Sequence, residues 1–207
     1  VYTIEFLERA VLGLHSEIRG LKNLPKEGSF IVAAKHQSPY ETFKLHVLFK
    51  DPAIILKKEL LDIPVWGKFL ARIDPLAIDR SIGKEAMQQI VDGAREIKKT
   101  GRPIIIFPQG TRVMPWQTTK DKPYKNGVSR MYEQADLPII PLALNSGMFW
   151  PRRSWLKSSG TVTFSFLPPI HPGRDGHDVL KELEQVIETE TQKLQQEALE
   201  KYDDVKR

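Results

Sequence analysis

The stretch Ser29-Phe30-Ile31-Val32-Ala33-Ala34-Lys35-His36-Gln37-Ser38-Pro39-Tyr40-Glu41 decides how the chain is read. Its first half, Ser29–Ala34, is an apolar run of strand length, the pattern of a strand covered on both faces. Ser38-Pro39 then opens a helix over 40–49, with Ser38 as its cap and Pro39 in its first position. His36 therefore stands at the carboxyl end of a buried strand, where α/β sheets place their ligands. Glu41, five residues on, lies inside the following helix and can fold back onto the imidazole. That contact would bond one ring nitrogen, fix the tautomer and leave the other nitrogen to take a proton from a hydroxyl. Read alone, the same spacing also fits a surface histidine beside an unrelated helical glutamate.

Working outward, Ile4, Leu7, Val11 and Leu14 recur at helical spacing and predict an amphipathic helix over 1–16, packed on the core or lying on a bilayer. Core packing is the default for such a helix. Short strands are expected at 17–20, 29–34, 53–57 and 76–78, and a helix over 84–100 closed by Gly101. Residues 60–73 read as helical in part, broken by Pro64 and Gly67. The runs 103–107 and 137–144 are apolar throughout, as central strands are, and 161–167 alternates Val162, Phe164 and Phe166 on one face. A long polar helix follows over 177–203, expected to act as a scaffold. Strands alternating with helices predict an α/β fold: a single domain with a mostly parallel central sheet flanked by helices. The division is 1–16 N-terminal helix, 17–176 main domain and 177–207 C-terminal helix.

A second loop, Phe107-Pro108-Gln109-Gly110-Thr111-Arg112, leaves another apolar strand. Gly110 allows a tight turn with exposed backbone amides, and Arg112 can grip a phosphate with two parallel bonds. An ordinary turn carrying a solvated arginine would look the same.

Composition narrows the chemistry. The absence of cysteine removes disulfides, thiolate metal sites and a cysteine nucleophile. The histidines are scattered without clustered carboxylates, so no metal site is expected, and His171 and His177 read as surface residues. The net charge is +5, but residues 178–207 hold nine acids against five bases, which leaves +9 on residues 1–177. A basic body points to an anionic partner: phosphate groups, a membrane surface or nucleic acid. No helix-turn-helix or aromatic-interleaved basic groove supports nucleic acid, and no apolar run has the length of a membrane span. The chain begins at Val1 and not at Met, which leaves a membrane anchor ahead of it as an open expectation.

The two loops together resemble the glycerolipid acyltransferase family, specifically the 1-acylglycerol-3-phosphate acyltransferases. That family carries a His, four residues and an Asp in its first block and Phe-Pro-Glu-Gly-Thr-Arg in its third. Residues 58–80, with Ile63-Pro64-Val65-Trp66-Gly67 and Ile78-Asp79-Arg80, resemble its second block, and Leu137–Leu144 its fourth. Lys125-Asn126-Gly127 resembles the Lys-x-Gly that lies between the third and fourth. Glu41 and Gln109 depart from the family's usual Asp and Glu.

The resemblance implies His36 as general base and Glu41 as the residue that orients it. It implies Arg80, Arg112 and Lys125 as the grip on the acceptor's phosphate, with Gln109, Gly110 and Thr111 shaping that site. It implies acyl transfer from acyl-CoA or an acyl carrier protein to lysophosphatidic acid, giving phosphatidic acid, with no cofactor. The partners would be those substrates and a membrane surface, not nucleic acid, and the protein would sit on the cytoplasmic face of a membrane. Met148–Lys157, with its tryptophans and basic residues, and Val113–Trp116 are candidate membrane contacts. The competing readings are an acyltransferase for another lysolipid, or a non-catalytic membrane-binding or nucleic-acid-binding module.

Overall fold

In a computed structural model the chain is described over residues 2–152 and 155–206, with the side chains of 2–5, 80, 84, 204 and 206 outside that description. Seven strands form one sheet: β1 (Leu14–Arg19), β2 (Ile31–Ala34), β3 (Ala53–Lys57), β4 (Leu76–Ile78), β5 (Ile104–Ile106), β6 (Ile139–Leu144) and β7 (Gly160–Phe166). Their spatial order is β1-β7-β6-β2-β5-β3-β4. Every neighbouring pair is parallel except β6 with β7. The expected α/β class and mostly parallel sheet are therefore what the chain adopts.

The helices are α1 (Tyr2–Leu12), α2 (Tyr40–Leu48), α3 (Trp66–Arg72), α4 (Lys84–Lys98), α5 (Gly127–Ala135), α6 (Ser146–Phe149) and α7 (Gly176–Lys201). Alternation along the central strands sends side chains to two separate cores. Ile31, Ala33, Ile104, Ile106 and Ile139 meet Val128 and Met131 of α5 and Val179, Leu183 and Ile187 of α7. Val32, Ala34, Ile105, Ile140 and Leu142 meet Leu45 of α2, Phe149 and Phe164 on the opposite face. Because β2 and β5 are buried on both faces, both had to be apolar throughout.

Three expectations need correction. The first helix stops at Leu12, and residues 14–16 belong to β1, where Leu14 pairs with Gly160. Leu14 fits the helical stripe, but it is buried to 1% exposure as a strand residue. Nor does the core cover the apolar face of α1: Phe6, Leu7 and Val11 stay exposed. Secondly, Gly67 does not break the 60–73 segment. It lies inside α3, where an added Cβ would fall 1.9 Å from the Leu61 carbonyl oxygen. The break comes earlier, at Val65. Thirdly, α5 and the short α6 were not expected, although Val128, Met131, Tyr132 and Ala135 of α5 follow helical spacing and are all buried. The other elements lie within about two residues of their expected limits, the usual scatter at helix and strand ends.

Lys35 extends the β2 face that meets α7. Its ammonium is buried and bonds both carboxylate oxygens of Glu188 at 2.7 and 2.8 Å. Tyr124 donates its hydroxyl to the same carboxylate at 2.9 Å. Burial pushes the Lys35 ammonium below the usual lysine range while Glu188 pulls the other way. Burial, with the Glu188 charge, pushes the Tyr124 phenol well above its usual range. The node ties α7 to the residue before His36 and the residue before Lys125.

Glu188→Ala is expected to strand the Lys35 charge and cost about 3–5 kcal/mol in urea unfolding. The paired change Lys35→Met with Glu188→Leu removes both charges and should recover most of the loss. Equal losses in the single and double variants would show that the ion pair does not carry the effect.

Candidate active site

The register of β2 against β5 assembles the site. Ile31 pairs with Ile104, Val32 with Ile105 and Ala33 with Ile106, so the two strands end level and their loops leave the sheet side by side. The His36 ring stacks on Phe107 with centroids 3.9 Å apart. The Val113 amide donates to the His36 carbonyl at 2.8 Å, which pins the second loop against the first.

Glu41 does fold back onto His36, as its spacing suggested. Nδ1 of His36 lies 2.8 Å from Oε1 of Glu41. The same oxygen accepts the backbone amides of Gln37 and Ser38, each at 2.7 Å. These amides belong to the turn that opens α2, so Glu41 reaches back as the acid of a capping box does. Ser38 completes the turn by accepting the Tyr40 amide at 3.2 Å. Oε2 of Glu41 accepts the hydroxyl of Ser146 at 2.7 Å. Glu41 is wholly buried, and both of its oxygens act as acceptors, so the imidazole must donate from Nδ1. Nε2 is then the basic nitrogen.

His36 lines a cavity of about 840 Å³ together with Gly110, Thr111, Arg112, Lys125 and Arg152. The loops after β2 and β5 thus deliver their candidate residues to one place. Among the described residues, no carboxylate pairs with the Arg112 side chain. Gly110 has φ 67°, in the left-handed region that glycine tolerates. Beyond this cationic group the walls are mostly apolar, with Phe43 and Val47 of α2, Ile55 of β3, Leu70 of α3, and Met87 and Ile90 of α4. A charged headgroup and a hydrocarbon chain would each find a matching wall.

One expected residue does not join them. Gln109 is 3% exposed and does not line the cavity; its Nε2 donates to the Lys122 carbonyl at 2.9 Å, bracing the next loop. Arg80 opens the short turn after β4, and its side chain lies outside the described residues. Two further residues do not read as part of the site from the sequence, where Arg152 belongs to the membrane contact expected at 148–157. Ser146 follows β6, 105 positions from Glu41, and no local pattern marks it. Arg152 lines the cavity and donates from Nη1 to the Arg112 carbonyl at 3.0 Å. Among the described residues no group of three or more His, Asp or Glu side chains could hold a metal ion. His171 and His177 are exposed.

Residues 15–145 match the profile of the acyltransferase family, a span that runs from β1 to the end of β6 and holds both loops. The 1-acyl-sn-glycerol-3-phosphate acyltransferase of Pseudomonas aeruginosa is 38% identical over 183 residues, covering 88% of this chain and 70% of that protein. The enzyme of the same name from Saccharomyces cerevisiae is 32% identical over 164 residues, 78% of this chain but only 54% of the yeast protein. In three dimensions the chain resembles the 1-acyl-sn-glycerophosphate acyltransferase of Thermotoga maritima with TM-score 0.69 and 23% identity, over 93% of this chain and 78% of that one. At that identity the likeness speaks for the fold, which is the same mostly parallel α/β sandwich. The sequence match is the stronger finding, because its span takes in every strand that carries a loop of the site: the chain belongs to the acyltransferase family.

Proposed function

We propose that the protein moves a fatty acyl group from acyl-CoA or an acyl carrier protein to the free hydroxyl of lysophosphatidic acid, giving phosphatidic acid. One observation carries the proposal: Nδ1 of His36 is committed to Glu41, and the ring shares a cavity with Arg112. In this reading Nε2 takes the proton of the acceptor hydroxyl as its oxygen attacks the thioester carbonyl. A tetrahedral oxyanion forms, the carbon–sulfur bond breaks, and the imidazolium returns its proton to the leaving thiolate. Glu41 stabilises the ring while it is charged, and Ser146 holds Glu41. Arg112, with Lys125 and Arg152, would hold the acceptor's phosphate. The names of the relatives from Pseudomonas and yeast support the acceptor.

Such an acceptor lives in a bilayer, so the protein works at a membrane surface. None of the described helices is long and apolar enough to cross one. Within the expected contact at 148–157, Phe149 is buried, whereas Trp155 and Leu156 are exposed; Arg153 and Ser154 lie outside the described residues. Trp116 in the other expected loop is exposed too. The exposed face of α1 suits the same role.

His36→Ala should lower acyl transfer by about 10²–10⁴-fold and, because it also takes a donor from the buried Glu41, cost about 1–3 kcal/mol of stability; a folded variant that retains activity would end the assignment. Arg112→Ala is expected to raise the KM for lysophosphatidic acid, with less effect on an acceptor that has no phosphate monoester. An unchanged KM would remove Arg112 from the phosphate site. Ser146→Ala takes one donor from a buried carboxylate and should cost about 1–3 kcal/mol, read partly as a lower kcat with KM unchanged. If Ser146→Ala behaves as wild type in both stability and kcat, Ser146 has no part in holding Glu41.

A further inference from the structure

The segment between β3 and β4 carries an apolar surface that the core does not use. Ile63, Val65, Trp66 and Phe69 are 42%, 70%, 46% and 56% exposed. Phe43 of α2, also exposed, meets Trp66 edge-on with ring centroids 6.1 Å apart. At its tip Val65 has φ 67° and ψ −56°, and the Trp66 amide donates to the Pro64 carbonyl at 2.7 Å. This is a three-residue γ-turn of the rare, strained hand, with a β-branched residue at its centre. Such a backbone costs about 1–3 kcal/mol and persists only where its surroundings hold it. Here Gly67 allows α3 to pack directly on the Leu61 carbonyl, which keeps the turn rigid. Val65 returns no core packing for that strain, because its side chain points into solvent.

The surface is continuous with the cavity. Phe43, Trp66 and Phe69 are both exposed and cavity-lining, so they form its rim. Lys57, Lys58, Lys68 and Arg72 stand exposed around them against three exposed acids, Glu59, Asp62 and Asp74, the last of which is paired with Arg102 at 2.7 Å. Arg72 lies over the Phe69 ring at 5.8 Å, and Lys58 reaches Asp79 at only 3.9 Å. An exposed Trp and Phe edged by basic side chains is the composition that suits the headgroup layer of an anionic membrane.

We infer that the γ-turn at Pro64–Trp66 and the outer face of α3 are a rigid wedge that seats the protein in an anionic lipid bilayer, so that the cavity rim opens into the lipid. This rests on the membrane-borne acceptor proposed above and adds the surface through which that acceptor is admitted. It differs from the contacts expected at 148–157, because among the described residues only this one borders the cavity with exposed aromatic rings.

The test compares wild type with Val65→Asn and Ile63→Asp/Val65→Asp. Each is sedimented with phosphatidylcholine vesicles with and without phosphatidylglycerol. Each is also assayed on lysophosphatidic acid presented in vesicles and as a short-chain monomer in solution. Asn tolerates positive φ better than Val does, so Val65→Asn should be at least as stable as wild type while binding anionic vesicles less well. The double variant should lose binding about tenfold or more, equivalent to about 1.4 kcal/mol, and lose activity on vesicles while keeping it on the monomer. Unchanged vesicle binding by folded variants overturns the inference. So does a wild type that ignores vesicles but loses binding to an acidic carrier protein on the same substitutions, since the surface would then be a protein dock. If wild type transfers no acyl group to the monomer, the proposed reaction fails, and the sedimentation result still decides the wedge by itself.

Discussion

The site depends on one buried carboxylate. Glu41 lies where water does not reach, and an unsatisfied charge there would be costly to the fold. It is satisfied by donors from three sources: the imidazole of His36, the amides of the turn that opens α2, and the hydroxyl that follows β6. Each donor has to be in place for the carboxylate to be accommodated, so the charge that orients the histidine also specifies the turn and the approach of β6. The longer arm of glutamate suits this arrangement because the carboxylate reaches back past the helix start while its backbone stays in the first turn of α2.

Beneath the His36 loop a second polar node does similar work on the other face of the sheet. Lys35 and His36 are neighbours in sequence, and alternation sends them to opposite layers. One ends on Glu188 of α7, the other on Glu41 of α2. The loop is thereby held from both sides of the sheet. Tyr124 joins the same node and carries the restraint to the loop that holds Lys125. The long acidic helix, which reads as a mere scaffold, thus supplies a charge to Lys35, the residue next to His36.

The surface follows a different logic. Most exposed apolar residues in a globular chain are scattered and need no account. Those between β3 and β4 are contiguous, mounted on a strained turn and shared with the cavity wall. α1 adds a second uncovered apolar stripe. Lys44 of α2 pairs with its Glu8 at 2.9 Å, and Glu8 itself lines the cavity, so the two apolar surfaces approach the same opening.

Much of this was legible in the chain itself. Apolar runs such as 31–34 and 104–106 are short, rich in β-branched residues and bounded by turn signals, which reads as covered strands, and Ser38-Pro39 and Gly101 punctuate them, so the alternation of strands and helices follows from local chemistry. The bond between His36 and Glu41 was legible too, because both partners lie within one loop and one helical turn. Tertiary structure alone decided the rest. Whether Leu14 faces a helix or a sheet depends on β7, some 146 residues away, offering its edge. That Gln109 braces a loop, that Ser146 holds Glu41 and that Lys35 finds Glu188 are all contacts between distant segments. Their partners are set by sheet order and register, which no local pattern encodes, since burial and pairing exist only once the strands have been laid side by side.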